Sequence, residues 1–306
     1  MRKRECKLLK KISKAIKQLN QREYLHRFGP KKYKLKHHLF ALLIKESYQL
    51  SLRRAEIMLE TFGILVPSYS ALCKSRKKIP SVIWNKLIYL TSGLQHENAA
   101  IDMTGFSRTN PSQHYLARIL AREYRKGYAK TSMIYDVERH KVITLHTKIK
   151  LRHELKDAKL LIRNLNVKVL LADKAYDAEW LHQYCFEHNI KTIIPKKKNI
   201  HRGFYRRKQM KNYSDEKYHQ RSNIESGFSA IKRKYGGYVS GKSLKSINSE
   251  LSCKAIAHNL RLLRQRFSTE PQISINLNNL FLNFNYGPKK FRKKSSRLCT
   301  EKCCYI

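Results

Sequence analysis

Apolar residues recur at helical spacing through the first third of this chain. They predict helices over 1–20 and 33–49, and a further helix that begins near Ser51. Ser68 is suited to cap the next helix, and Pro80 would end it. Two short helices joined by a glycine-containing turn, the second of them basic, are typical of a helix-turn-helix.

From residue 97 the pattern changes to alternating or β-branched apolar residues, which predict strands. The first strand ends at Asp102, and others are expected near 114–120, 129–136 and 142–150. Helices and strands then alternate: a helix over 151–164, a strand over 167–173, a helix that starts at Asp177 and a strand over 191–195. Strands that come first and then alternate with helices predict an α/β fold with a mixed sheet.

The last part of the chain is basic. Residues 196–217 predict a loop, after which come a helix that bears Glu225 and an amphipathic helix over 244–267. The predicted organisation is an all-α DNA-binding domain over 1–96, an α/β catalytic domain over 97–267 and a basic, partly mobile tail over 268–306.

The charge of the chain is extreme and indicates a polyanionic partner. The 306 residues include 65 Lys and Arg against 22 Asp and Glu, for a net charge of +43. Such a charge points to a nucleic acid or an anionic membrane. The chain lacks a long apolar run and a secretory signal, so the membrane alternative reduces to an amphipathic surface helix at the N-terminus. The basic residues are spread along the whole chain, which favours a long path of phosphates.

The second helix of the helix-turn-helix supplies candidate DNA contacts. Its basic residues are Lys74, Arg76, Lys77 and Lys78. The alternative is an ordinary helical bundle whose basic residues are only solvated.

Seven cysteines are present, and their pattern favours reduced thiols in an intracellular protein. Cys299, Cys303 and Cys304 cluster near the C-terminus, but no fourth zinc ligand lies at a usual spacing. The role of these three cysteines stays open at this point.

Two carboxylates follow apolar strands and are expected at one edge of the sheet. Asp102 and Asp173 each occupy such a position, although each could instead belong to a turn. Asp177 is better suited to cap a helix than to bind a ligand.

Four polar residues near the end of the predicted catalytic domain share one helical face. At about 100° per residue they fall within an arc of about 60°; they are Tyr218, Arg221, Glu225 and Lys232. The opposite face carries Ile224, Phe228 and Ile231, which suit a core.

A carboxylate among cations suggests chemistry on a polyanion. Mg²⁺ prefers oxygen ligands, and two such ions about 3.5–4 Å apart can promote an in-line phosphodiester displacement. Asp102, Asp173 and Glu225 would suffice to hold them.

The segment IDMTGF, with Asp102, resembles the first-Asp motif of the DDE transposases of bacterial and archaeal insertion sequences. LLADKAYD, with Asp173, resembles the second. The spacing of Tyr218, Arg221, Glu225 and Lys232 is similar to the Tyr–Arg–Glu–Lys signature of one large branch of that family. IIPKKKN and AIAHNLRLL also resemble segments of this branch.

This resemblance implies a ribonuclease H-like fold, two Mg²⁺ or Mn²⁺ ions, and cleavage and strand transfer at terminal inverted repeats. Asp102, Asp173 and Glu225 would be the catalytic metal ligands. Arg221 and Lys232 would hold terminal phosphates, and Tyr218 would brace the DNA end. The interval between Asp173 and Glu225 leaves no room for the large β-insertion that some members carry.

The leading hypothesis is therefore a transposase that acts on double-stranded DNA, both transposon ends and target, as a homo-oligomer in the cytoplasm of a prokaryote, at its nucleoid. The alternatives are a non-transposing nuclease or resolvase of the same fold, a catalytically silent DNA-binding derivative, and an RNA-binding protein.

Overall fold

Five helices come first in the chain, as a computed structural model shows. They are α1 (Lys3–Gln18), α2 (Leu35–Ser47), α3 (Leu52–Thr61), α4 (Tyr69–Lys78) and α5 (Ser81–Ser92). Ser51 and Ser68 accept hydrogen bonds from backbone N–H groups of the helices that follow them, as expected of N-caps. The sequence pattern did not predict α5, which begins directly after Pro80.

The structure describes most of the chain but not all of it. The described residues are 3–28, 31–93, 95–108, 127–149, 153–163, 165–198, 202–211 and 213–262. The strand predicted near 114–120, the tail over 268–306 and the C-terminal cysteines lie outside these residues. The chain divides into the units Met1–Thr269 and Glu270–Ile306, and every described residue belongs to the first.

A five-stranded mixed sheet follows the helices. Its strands are β1 (His96–Ser107), β2 (Tyr128–Asp136), β3 (Lys141–Lys148), β4 (Val167–Ala172) and β5 (Lys191–Ile193). They lie in the order β3-β2-β1-β4-β5. The pairs β1–β2 and β2–β3 are antiparallel, whereas β1–β4 and β4–β5 are parallel. The α/β fold expected from the sequence, a mixed sheet flanked by helices, is confirmed.

Six helices accompany the sheet in the described residues after Ser107. They are α6 (Leu155–Leu161), α7 (Glu179–Glu187), α8 (Phe204–Met210), α9 (Asp215–His219), α10 (Ser222–Tyr235) and α11 (Leu244–Leu262). The prediction of a loop over 196–217 was wrong in part, because α8 and the start of α9 lie within this range. None of the described helices is both long and apolar enough to cross a membrane.

Alternate strand residues point to opposite faces of the sheet and build two cores. Ala100 and Leu171 face the N-terminal helices together with α10 and α11. Ile101 and Leu170 face α6 and α7 instead. Because side chains alternate, Asp102 and Asp173 continue the rows of Ala100 and Leu171, toward the side that α10 covers.

The N-terminal helices share the first of these cores with the sheet. Leu42, Trp84 and Leu87 are almost wholly buried in it, as is Ile256 of α11. Cys73, Cys185 and Cys253 are free thiols. The division of the chain at residue 96 into a DNA-binding and a catalytic domain stays a prediction.

Helix α10 approaches the sheet closely at Gly227. A Cβ atom built on Gly227 would lie only 2.6 Å from the ring of Tyr135 on β2. Tyr135 is 2% exposed, so its ring cannot swing out into solvent. On either side of the glycine, Ile224, Phe228 and Ile231 pack into the core, as the helical pattern predicted. A residue without a side chain is thus required at the closest point of this contact.

We expect Gly227→Ala to destabilise the protein. Overpacking a filled core costs about 1–3 kcal/mol, whereas alanine gains at most about 1 kcal/mol in helix propensity over glycine. Chemical denaturation of the full chain measures the difference. Ser226→Ala is the control, because Ser226 is exposed on the same helix and should lose no stability. Equal stability of the two variants would contradict the close contact.

Candidate active site

Asp102 and Asp173 lie on the neighbouring strands β1 and β4. Their parallel pairing sets Ile101 opposite Ala172, and Asp173 is the first residue after β4. The prediction that Asp102 ends its strand was wrong. It lies in the middle of β1, which continues to Ser107 because β2 pairs with it as far as Tyr128. The two carboxylates nevertheless stand at the point where β4 ends.

Both aspartates are oriented by the backbone. Asp102 Oδ1 accepts a hydrogen bond of 2.7 Å from the N–H of Met103. Asp173 Oδ1 accepts one of 2.6 Å from the N–H of Lys174, at the start of the 3₁₀ turn Lys174–Tyr176. Each aspartate keeps its second oxygen clear of these bonds.

Arg221 joins Asp102 to Glu225. Its Nη1 lies 3.4 Å from Asp102 Oδ2, and its Nη2 lies 3.1 Å from Glu225 Oε1. The side chains of Arg221 and Asp102 are each 21% exposed, whereas that of Glu225 is 59% exposed. One guanidinium therefore bridges a carboxylate of the sheet and a carboxylate of α10.

The electrostatics of the site centre on Asp102. Burial raises the pKa of Asp102, and the negative charges of Glu225 and Asp173 act in the same direction. The hydrogen bond from Met103 and the charge of Arg221 oppose this shift without cancelling it. Three carboxylates thus lie near enough for their charges to interact, and Arg221 offsets part of their repulsion.

The four polar residues expected on one helix do not share one. Tyr218 lies on α9, Arg221 lies in the break before α10, and only Glu225 and Lys232 lie on α10. Tyr218 is half-buried and packs against the first core. At this break the N–H of Arg221 donates to the carbonyl oxygen of Tyr218, and the carbonyl oxygen of Arg221 accepts from the N–H of Ile224, so a tight turn joins α9 to α10. From this turn the Arg221 side chain reaches Asp102.

Lys232 lies in the last turn of α10, whereas Glu225 lies in the first, and Lys232 contacts β1. Its Nζ donates a hydrogen bond of 2.6 Å to Thr104 Oγ1 and stands 5.4 Å from the centre of the Phe106 ring. Burial lowers the pKa of Lys232. Lys232 and Arg221 therefore both contact β1, near Thr104 and Asp102.

The donor chemistry of the site fits a hard divalent cation, because Asp102, Asp173 and Glu225 all offer carboxylate oxygens. In the present arrangement the positive charge between Asp102 and Glu225 is the guanidinium of Arg221. Within the described residues, no group of three or more acidic, histidine or cysteine side chains stands close enough together to hold one metal ion. A cation between Asp102 and Glu225 would thus have to displace Arg221.

The basic residues of α4 divide into two groups. Lys74, Lys77 and Lys78 are exposed, as DNA contacts should be. Arg76 is 7% exposed and lies 3.4 Å from Glu250 on α11. The structure thus turns Arg76 inward, against the expectation that it contacts DNA, because α4 packs on α11 along that side.

Asp177 is also placed differently from the sequence prediction. Ala178, not Asp177, precedes α7 at the capping position. The Asp177 carboxylate is buried, and it lies 2.5 Å from Nε of Arg206 and 3.2 Å from Nε2 of His182. It accepts a further hydrogen bond from the N–H of Lys197. Asp177 thus contacts α7 through His182, α8 through Arg206, and the segment between β5 and α8 through Lys197.

Sequence reasoning missed two polar residues, Glu154 and Tyr176. Burial raises the pKa of Glu154, and the negative charge of Asp102 raises it further. Tyr176 is buried, and its hydroxyl has no hydrogen-bond partner among the described residues. No spacing rule marks Glu154, which precedes a short helix, and Tyr176 reads as an ordinary core aromatic.

Comparisons with known proteins bear on this site. The family model described as "Transposase DDE domain" matches residues 94–260, which is more than half of the chain. A solved structure described as a cryo-EM structure of piggyBac transposase synaptic complex with hairpin DNA is similar at 12% identity and a TM-score of 0.40, over 94% of this chain and 84% of that chain. No curated protein matches.

We expect Arg76→Ala and Lys77→Ala to act differently. Arg76→Ala removes the cation that pairs with the buried Glu250 carboxylate and should lower the free energy of unfolding by about 3–5 kcal/mol. Lys77→Ala should change the free energy of unfolding by less than about 0.5 kcal/mol. It should reduce the slope of the logarithm of DNA affinity against the logarithm of salt concentration by about one. Denaturation and salt-titrated binding measure the two effects. An Arg76→Ala variant that keeps full stability yet loses DNA affinity would refute the structural role.

Proposed function

This chain belongs to the transposase DDE domain family, and we propose that Asp102, Asp173 and Glu225 are the catalytic residues with which it acts on DNA. A DDE transposase is an enzyme that cleaves DNA and transfers the strand. The observation that carries the assignment is the bridge from Arg221 to Asp102 and Glu225, beside the end of β4 that bears Asp173. Matched residues 94–260 include all three.

The three carboxylates would hold two Mg²⁺ or Mn²⁺ ions. Bound there, such ions would supply activation of the attacking oxygen and stabilisation of the leaving oxygen in an in-line displacement. The backbone bonds from Met103 and Lys174 fix one oxygen of each aspartate, so that both are oriented before DNA arrives.

The cations around the carboxylates suit the phosphates of one DNA end. Arg221 is forked and can bind a phosphate with two hydrogen bonds, which would withdraw it from Asp102 and Glu225. Lys232, braced by Thr104, offers a point charge farther along α10. Tyr218 would brace the same end. These residues support membership of the branch that carries the Tyr–Arg–Glu–Lys signature.

The helical region before β1 would recognise the transposon ends. Helices α3 and α4 have the arrangement of a helix-turn-helix candidate, and α4 exposes Lys74, Lys77 and Lys78. The expected DNA is the terminal inverted repeats of an insertion sequence together with the target. The synaptic complex would be a homo-oligomer that works at the nucleoid of a prokaryotic cell.

We expect Asp102→Asn, Asp173→Asn and Glu225→Gln each to lose end cleavage in Mg²⁺ or Mn²⁺ while they keep binding to end DNA. Each change removes a ligand charge without adding bulk. The assay uses a duplex that carries one transposon end, with Glu187→Gln on α7 as an exposed carboxylate control. Cleavage retained by any of the three variants would remove that residue from the catalytic set.

A pre-cleaved end with a free 3′-OH separates transposition from simple hydrolysis. We expect the wild-type protein to join this end to a target plasmid, because the family transfers strands as well as cutting them. A protein that cuts intact ends yet never joins the pre-cleaved one would instead be a nuclease or resolvase of the same fold.

We expect Lys232→Ala to weaken end binding more than Arg233→Ala. The two residues are neighbours on α10, but Arg233 is exposed whereas Lys232 lies against β1 near the carboxylates. Affinities are compared at several salt concentrations, because each lost phosphate contact lowers the salt slope by about one. Equal losses would mean that both act only through the general positive field.

A further inference from the structure

A half-exposed tyrosine stands next to Lys232, beyond the proposed catalytic site. Tyr238 lies in the loop 236–242, which joins α10 to α11, and it is 52% exposed. A Cβ atom built on Gly237 would lie 3.9 Å from Cβ of Lys232, so the loop contacts the residue that we expect to hold a phosphate. A single exposed tyrosine needs no explanation by itself, but the way in which the chain holds this one does.

The end of β1 holds the backbone on both sides of Tyr238. The N–H of Ser107 donates a hydrogen bond of 3.1 Å to the carbonyl oxygen of Gly237, and the N–H of Val239 donates one of 2.8 Å to the carbonyl oxygen of Ser107. The loop thus forms a parallel bridge to β1 at Tyr238. Val239 is buried in the first core, whereas the ring of Tyr238 is left at the surface.

The ring of Tyr238 rests on a glycine and a buried lysine. Gly236 has a φ of +83°, and a Cβ atom built there would lie 3.2 Å from Cε1 of Tyr238. Lys254 is 2% exposed, and its Nζ lies 5.6 Å from the centre of the ring. The same Nζ donates hydrogen bonds to the carbonyl oxygens of Gly236 and Tyr238. The fold therefore sets the orientation of the ring, and it covers one side of the ring while the other stays open to solvent.

The supported ring continues a row of groups that starts at Asp102. Because side chains alternate along a strand, Asp102 and Phe106 face the same side of β1. Nζ of Lys232 stands 5.4 Å from the centre of the Phe106 ring. Nζ of Lys254 stands 5.8 Å from that centre and 5.6 Å from the centre of the Tyr238 ring. A DNA strand whose reacting phosphate lies at Asp102 would thus meet Lys232 and then Tyr238 along β1.

The two segments that build this row are basic. Residues 226–249 contain five Lys and Arg and no Asp or Glu, and residues 103–108 contain Arg108 and no Asp or Glu. Arg108 donates a hydrogen bond of 3.4 Å to the carbonyl oxygen of Lys242, at the end of the loop. Cations that follow the phosphates and aromatic rings that stack on the bases are the means by which proteins bind unpaired nucleotides. A nucleotide therefore fits this surface better than an apolar partner does.

We propose that the Tyr238 ring stacks on a base of the DNA end, in the strand whose phosphate Lys232 holds. The inference rests on the proposed function, because the path of this strand is drawn from Asp102. A base is free to stack on the ring only where the end is unpaired, so Tyr238 contacts the terminal nucleotides and not the duplex behind them. Since every base has a face that can stack, Tyr238 holds the end without reading its sequence.

A photo-crosslink tests the contact directly. The probe is a duplex that carries one transposon end, with 5-iodouracil at one terminal position at a time, because this base forms a bond to a stacked aromatic ring on irradiation. Divalent cations are left out, so that the end stays uncut. We expect mass spectrometry to find a crosslink to Tyr238 from a terminal position. The crosslink should persist at residue 238 in Tyr238→Phe and disappear in Tyr238→Ala. Absence of a crosslink to residue 238 from every terminal position would overturn the proposal.

Affinity for the same duplex separates stacking from electrostatic attraction. Tyr238→Ala should weaken binding by about five- to a hundredfold, the range expected for one lost stacking contact. The slope of the logarithm of affinity against the logarithm of salt concentration should not change, because no charge is removed. Tyr238→Phe should bind like the wild type. Equal losses in Tyr238→Phe and Tyr238→Ala would mean that the hydroxyl and not the ring binds DNA, and would overturn the stacking role.

Phe204→Ala is the matched control for the loss of an exposed ring. Phe204 is 62% exposed on α8, which packs on α7 and β5 and not on β1. This variant should bind the end like the wild type. A loss as large as that of Tyr238→Ala would show that exposed rings anywhere on the chain support binding, and would remove the specific role of Tyr238.

The outcomes separate this inference from the proposed function. A Tyr238→Ala variant that binds and cuts ends like the wild type would overturn the contact and leave the catalytic set intact. Cleavage retained in Asp102→Asn would overturn the catalytic assignment of Asp102, whereas the crosslink, which forms without metal, still decides whether Tyr238 meets DNA. A lower thermal midpoint or a changed oligomeric state in Tyr238→Ala, without a crosslink in the wild type, would assign the ring to folding or to a second copy of the chain and overturn the proposal.

Discussion

The packing of α10 on the sheet is the contact on which the whole site depends. At Gly227 the helix comes so near to Tyr135 that no side chain fits between them. That distance decides how far the residues before Gly227 reach over the sheet. Since Glu225 and Arg221 lie two and six residues before Gly227, the close approach is what brings them to Asp102. A larger residue at position 227 would move a carboxylate and a cation away from β1 at once.

The bridge from Arg221 to Asp102 matters more for the arrangement of charges than for stability. Both side chains are only 21% exposed, so the cost of removing their charges from water offsets much of their attraction and the net contribution to folding is small. Without Arg221, however, Asp102 would face the charges of Glu225 and Asp173 while it is largely removed from water, and burial already raises its pKa. The guanidinium keeps these carboxylates close. A phosphate that binds Arg221 and a cation that binds the carboxylates would together replace that single contact.

A buried set of charges ties the N-terminal helices to the segment that follows α10. The Glu250 carboxylate accepts hydrogen bonds from the N–H groups of Ser240 and Gly241 and lies against Arg76 of α4. Lys254 on the same helix donates to the carbonyl oxygens of Gly236 and Tyr238. Removing one partner from such a set is costly, because the other charge stays buried. The candidate DNA-binding helix and the helix of Glu225 are thereby held to one common support, α11.

The residue pattern alone determined the mixed α/β sheet, the caps at Ser51 and Ser68, the apolar side of α10 and the motif residues around Asp102, Asp173 and Glu225, because these follow from local periodicity and residue type. It failed where the answer depends on distant partners. Only the tertiary structure decided that Arg76 turns inward to Glu250 and that a turn at Arg221 separates α9 from α10, where the guanidinium meets Asp102. Burial and ion pairing join residues that are far apart in the chain, and no local spacing records which of them will meet.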